Sequence, residues 1–180
     1  MKTTTIALCL IVIIGSSAQA QHSMANRDKM KAFDGWAGRW EGEGWMQMGP
    51  GEPKKSNVIE IITPKLDGLV YLVEGRGTLP EGEPGAGKVV HDALGILSYD
   101  QSTDQYKFRS YVQSGHTTDA WFNLVDTNKF QWGFDIPNYG KMRYTITLDP
   151  AASTWNEIGE FSSDGATWVK NFEMNLKKVD

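Results

Sequence analysis

Cysteine is nearly absent from this chain. Cys9 is the only one in 180 residues, so no intrachain disulfide and no cysteine-built metal cluster is possible. Histidine is also scarce: His22, His91 and His116 are the only three, and no residue after His116 is a histidine. A cluster of imidazole metal ligands is thereby excluded. Positive charge is not in surplus, because 18 Lys and Arg stand against 22 Asp and Glu for a net charge of −4. That balance, with lysines scattered and no basic stripe, argues against a protein that holds nucleic-acid backbones. No Asn-x-Ser/Thr sequence occurs anywhere. Aromatics and glycine, in contrast, are plentiful, at 7 Trp, 7 Phe, 6 Tyr and 19 Gly. The combination points to a β-rich domain with tight bends, and 180 residues suffice for one sizeable core.

The first twenty residues read as an export signal. Met1 and Lys2 are followed by an unbroken apolar run from Ile6 to Ile14, then Gly15-Ser16-Ser17 and the small-x-small triplet Ala18-Gln19-Ala20. The run is short of the roughly 20 residues that span a bilayer, so cleavage after Ala20 is expected in preference to a retained anchor. Cys9 lies inside the run and not just after it, which disfavours lipoprotein attachment. Cleavage would remove the only cysteine and one lysine, leaving 17 basic against 22 acidic residues. A periplasmic or secreted domain without disulfides must then be stabilised by packing alone. The expected division is signal peptide 1–20, tail and short helix 21–37, and a β-barrel domain 38–180.

Residues 24–33 are strong helix formers, with Met30 and Phe33 on one face and Asp34-Gly35 as the stop. Beyond Gly38 the period of apolar residues becomes two. Strands are predicted at 39–48, 56–63, 68–78, 88–99, 104–113, 117–125, 128–135, 139–148, 154–161 and 167–178. Between them stand turn signals such as Gly49-Pro50-Gly51, Pro137-Asn138, Asp149-Pro150 and Asp164-Gly165. Phe130, Trp132 and Phe134 share one face. So do Met142, Tyr144, Ile146 and Leu148, and the same reading groups Trp168, Phe172, Met174 and Leu176. Ten strands with short connections form an antiparallel meander, and absent crossover helices exclude a parallel α/β fold. An open sheet that long exposes two edges, so an up-and-down barrel is expected. About eight strands can fill a barrel with side chains, and ten leave room for a small molecule unless the barrel flattens.

Gly38-Arg39-Trp40-Glu41-Gly42-Glu43-Gly44 opens the first strand, with Trp40 placed to plug one end. On this motif the sequence resembles the calycin-like barrels, lipocalins and fatty-acid-binding proteins among them, and more closely their nitrobindin-like branch. It is similar as well to an uncharacterised family of exported bacterial proteins. That similarity rests on Leu97-Ser98-Tyr99-Asp100, Met142-Arg143-Tyr144-Thr145-Ile146, the stretch Trp155 to Ser162, and Trp168 to Leu176. The resemblance covers about residues 30–178 and implies a barrel that holds a small ligand; its motifs carry fold better than function. Nitrobindin-like proteins bind haem through a histidine late in the barrel, where this chain has none. His91 alone alternates with inward candidates, and a buried neutral histidine is the plainer reading, leaving haem a minority cofactor.

The remaining patterns carry little chemistry. Gly82-Glu83-Pro84-Gly85-Ala86-Gly87-Lys88 imitates a phosphate loop, yet Val89 replaces the magnesium-binding hydroxyl and a strand follows instead of a helix. No nucleophile elbow and no metal spacing is present. The candidate lumen residues are Trp40, Glu60, His91, Tyr99, Arg109, Tyr111, Trp132, Phe134, Lys170 and Phe172. Trp121, Phe122 and Phe130 are further aromatic candidates for a pocket wall. The expected function is a barrel binding an apolar or amphipathic, lipid-like molecule without chemistry. An enzyme would need an inward acid–base pair among Glu60, His91, Arg109 and Lys170, and a purely structural barrel would have a filled lumen. No nucleic-acid partner and no membrane span after cleavage are expected; a homodimer is compatible with the sequence.

Overall fold

The computed structural model describes residues 24–179. The expected signal segment, its cleavage point and His22 lie outside the described residues. A helix, α1, covers 24–30 and runs directly into a 3-10 turn, Lys31–Trp36. Ten strands follow: β1 Gly38–Met46, β2 Lys54–Lys65, β3 Val70–Thr78, β4 Val89–Asp100, β5 Gln105–Val112, β6 Thr117–Asp126, β7 Lys129–Ile136, β8 Gly140–Asp149, β9 Thr154–Ser162 and β10 Val169–Lys178. Each is antiparallel to its neighbour in sequence, and β1 also pairs with β10, so the sheet closes into a barrel. The seam register sets Trp40 opposite Lys178 and Met46 opposite Phe172. The all-β barrel expected from turn signals and alternation is therefore the fold, and strand ends fall within a few residues of the reading. Among the described residues no helix is long and apolar enough to cross a membrane.

The helical segment differs from the reading in its end. Asp34-Gly35 does not stop it; the chain tightens to 3-10 geometry and continues to Trp36. The physical reason is burial. Met30, Phe33 and Trp36 recur every three residues and are at most 1% exposed, and 3-10 spacing keeps all three on one line into the barrel. Phe33 sits with its ring centroid 4.9 Å from Phe130, 5.1 Å from Tyr106 and 5.6 Å from Phe122. Trp36 lies edge-on to Trp155 at 5.3 Å, and Trp155 edge-on to Trp40 at 5.8 Å. The Trp40 indole N–H donates to the Trp36 carbonyl at 2.9 Å, and the Tyr71 hydroxyl donates to Asp34 at 2.6 Å. Arg27 pairs with Asp67, tying α1 to the β2–β3 turn. One end of the barrel is thus stoppered by the chain's own N-terminal segment.

Gly42 is required at the seam. A Cβ there would stand 2.1 Å from the Asn175 carbonyl oxygen, so β10 approaches β1 more closely than any side chain permits.

Candidate functional site

Alternation divides every strand into an outer and an inner row, and the inner rows differ between the two ends. Near the stopper, Trp40, Ile62, Tyr71, Leu97, Phe122 and Phe130 are all buried. Toward the opposite mouth the inner-row residues Val73, Ala93, Ser110, Thr118, Trp132, Phe134 and Phe172 are each only half-buried, while Met142 and Tyr144 beside them on β8 are buried. Above Trp40, β1 offers the lumen only Gly42 and Gly44 before Met46, so no side chain from the opening motif obstructs the space there. The β1–β2, β3–β4, β5–β6, β7–β8 and β9–β10 connections ring this mouth. The glycine-rich β3–β4 connection is held by turn hydrogen bonds, with Gly87 N–H donating to Leu79 O at 2.9 Å, and it feeds a strand.

Two carboxyl side chains point into the chamber. Glu60 of β2 shares the inner row with Val58 and Ile62, and its carboxyl lies over Gly75 of β3. A Cβ on Gly75 would stand 2.6 Å from Glu60 Oε1. Glu157 of β9 lies between Trp155 and Gly159 on the inner row and is 4% exposed. The Trp132 indole N–H donates to Glu157 Oε1 at 3.0 Å. Burial raises the Glu157 carboxyl to about 7, opposed by the Trp132 hydrogen bond and by the nearby Trp155 indole. The Trp155 N–H itself completes no hydrogen bond of acceptable geometry. Burial also raises Glu60 well above the carboxylate range, and the Glu157 charge pushes in the same direction. Glu60 keeps some accessible surface yet lies deep enough for desolvation to dominate, which places it at the bottom of an open cup.

A belt of rings flanks the acids. Phe108 is edge-on to Trp132 at 5.2 Å, Trp132 stacks on Tyr144 at 4.2 Å with planes 11° apart, and Tyr144 meets Phe172 edge-on at 5.6 Å. Phe134 stacks on Trp132 from the mouth side at 6.2 Å. Burial and the Glu157 charge both push the Tyr144 hydroxyl upward, so it stays protonated.

The sequence-derived candidates separate cleanly. Glu60, Trp132, Phe134 and Phe172 meet in the chamber. Trp40 faces inward but belongs to the stopper, and Tyr99 stands at the closed rim, its hydroxyl bonded to Asp104. His91 occupies the inner row at the mouth, over Gly77 and near Ser56, and partial burial lowers its basicity despite its solvent contact. Phe122 and Phe130 pack against the stopper. Arg109, Tyr111 and Lys170 do not reach the lumen. Arg109 pairs with Asp119 on the outer wall at 2.5 Å, Tyr111 lies in the same outer row, and Lys170 pairs with Glu173 at 2.7 Å. Odd positions of β5 face outward because Tyr106 and Phe108 take the inside. Lys170 precedes a β-bulge between Lys170 and Phe172. The same bulge reverses Trp168, which lies outside beneath the Arg143 guanidinium at 4.1 Å, away from the face of Phe172. Trp121 is likewise outside, its ring against Gly133. The acid–base convergence imagined among Glu60, His91, Arg109 and Lys170 is replaced by Glu60 with Glu157.

Glu157 was absent from the candidates, although its alternation with Trp155 and Gly159 carries the signal. A separate groove runs along the outer wall, lined by Ile59, Ile61, Glu74, Arg76, Leu94 and Tyr111.

No family model matches the sequence, and no curated protein matches it. Solved structures do. The chain is similar to the crystal structure of Rv2717c from M. tuberculosis, with a TM-score of 0.61 and 10% identity over 84% of this chain and 97% of that one. It is also similar to the S-type phycobiliprotein lyase CPES from Guillardia theta, with a TM-score of 0.53 and 11% identity over 83% and 91% of the two chains. At such identities the likeness is one of fold, and the fold is a ten-stranded barrel of calycin-like type.

Proposed function

We propose that this protein holds an amphipathic small molecule in the mouth half of its barrel and does not transform it. The observation that carries the reading is the contrast in burial along one lumen. Most inner side chains near the stopper are buried, whereas many near the mouth stay accessible, Met142 and Tyr144 of β8 excepted, and they mix small residues, rings and carboxyls. A chamber with mostly apolar walls and a few convergent polar groups is the usual form of a small-molecule site. Export belongs to the same proposal: cleavage after Ala20 would release a disulfide-free carrier, and N-terminal sequencing of the secreted or periplasmic protein checks it.

Haem does not fit the residues present. The only described histidine of the inner row, His91, stands on the mouth rim over Gly77 with its residue surface exposed, and the later strands that line the chamber carry no histidine.

The test is saturable Nile red binding, followed by native mass spectrometry for a bound molecule. Wild-type protein should bind the dye in one-to-one stoichiometry, and Ser110→Trp, which fills the chamber from β5, should lose it while remaining folded. Absence of saturable dye binding together with absence of any co-purifying mass would overturn the proposal.

A further inference from the structure

The floor of the mouth chamber is acidic from two sides. Arg109 on Asp119, Arg143 on Glu160 at 2.7 Å, Lys141 on Asp135 at 2.9 Å, and Arg39 on Glu41 at 2.7 Å pair on the outer wall, while His91 and Lys54 take inner-row positions at the rim, toward the mouth from the acids. Only burial and the Glu157 charge act on Glu60, so no cation reaches it from the wall. Among the described residues the Glu60 carboxyl accepts no hydrogen bond. Desolvation without a hydrogen-bonding or charged partner is costly for a carboxyl.

The walls define what would relieve it. Phe108, Trp132, Tyr144 and Phe172 make a continuous run of π-faces and edges beside the two carboxyls. Carboxylate oxygens beside aromatic faces are complementary to an ammonium group, which donates to the former and is attracted by the latter. A carboxylate or phosphate head would instead bring a negative charge to a site whose own two acids already resist ionisation. A neutral alcohol could pair with one carboxyl but supplies no positive charge against which either acid could ionise.

We propose that the molecule held in the chamber enters nitrogen first, its protonated amine seated between Glu60 and Glu157 and its apolar body along the ring belt. This rests on the carrier reading and narrows it to cationic amphiphiles.

The experiment displaces Nile red with three probes of equal chain length near neutral pH, below their aggregation concentrations: dodecylamine, dodecanol and dodecanoate. Dodecylamine should displace the dye at a concentration about tenfold below dodecanol, with dodecanoate weakest. In the variant carrying both Glu60→Gln and Glu157→Gln the amine should lose its advantage while dodecanol displaces as before. Equal displacement by all three probes in wild-type protein overturns the inference and leaves the carrier reading intact. An amine preference that survives the double substitution overturns the assignment to these two residues. Failure of the dye itself to bind removes the carrier reading underneath.

Discussion

The two halves of the barrel are built from the same strands and obey the same alternation, yet they are opposite in character. The stoppered half is a solid of interlocked rings, in which Phe33 and Trp36 from the N-terminal segment complete a core that ten strands alone leave open. The mouth half spends its inner positions on Ala93, Ser110, Thr118 and the β1 glycines, and places two acids where the other half has tryptophan and isoleucine. The tightest packing is thus concentrated at one end of the barrel axis, and the proposed binding chamber occupies the other. Packing at one end offsets a polar, under-packed interior at the other.

The largest expected effect breaks the stoppered half. Trp36→Ala removes a side chain that is 1% exposed at the centre of the ring cluster, and should cost about 3–5 kcal/mol in urea unfolding. Trp36 reaches the acids only through Trp155 and Trp40, so dodecylamine displacement by the folded fraction should change far less than stability does.

A smaller loss comes from the mouth half itself and depends on pH. The native Glu157 carboxyl is raised from 4.5 to about 7, so between those values the folded protein holds a proton that the unfolded chain has released. Stability should therefore be highest below that window, fall as pH rises through it, and level off above, by an amount on the order of 3 kcal/mol. Glu60, raised in the same direction and coupled to Glu157, adds to the fall; Tyr144 stays protonated throughout the window. The gap between urea midpoints measured on either side of the window should shrink in Glu157→Gln and close when Glu60→Gln is added.

Gly75→Ala sharpens the contrast with little stability cost. The new Cβ would meet only the end of the Glu60 side chain at 2.6 Å, which can swing away at a cost of about 1 kcal/mol or less. Moving that carboxyl should weaken dodecylamine displacement about tenfold and leave dodecanol unaffected. The smallest effect belongs to the outer wall. Arg109→Ala breaks an exposed pair with Asp119 and should change neither the unfolding midpoint nor dye displacement.

Much of the barrel was legible because its punctuation is local. Asp149-Pro150 and Asp164-Gly165 each end a strand by backbone chemistry that does not depend on tertiary context. Inward faces were legible wherever alternation ran unbroken, as in Phe130, Trp132 and Phe134. It failed at Trp168, because a bulge changes parity without any mark in residue type. The extended stopper was hidden for another reason. Gly35 is a fair helix stop in isolation, and only the ring cluster waiting inside the barrel makes continuation to Trp36 worthwhile. The candidate site was half visible: Glu60 stood out among apolar neighbours, whereas its partner lies across the lumen on a strand far along the chain. Glu157 sat in a stretch read for fold, and no spacing rule connects residues 60 and 157.

The seam between β1 and β10 carries a kinetic consequence. Every other pairing joins strands adjacent in sequence and can form as a local hairpin, whereas Trp40 must find Lys178 across nearly the entire chain. The loop-closure entropy of that encounter falls on a single zipper, so the ring should shut last during folding and gape first on unfolding. Since the same opening strand bears Trp40, hydrogen-bonded to the stopper, the cork and the clasp are one piece of chain, and a barrel that springs its seam loosens its plug in the same motion.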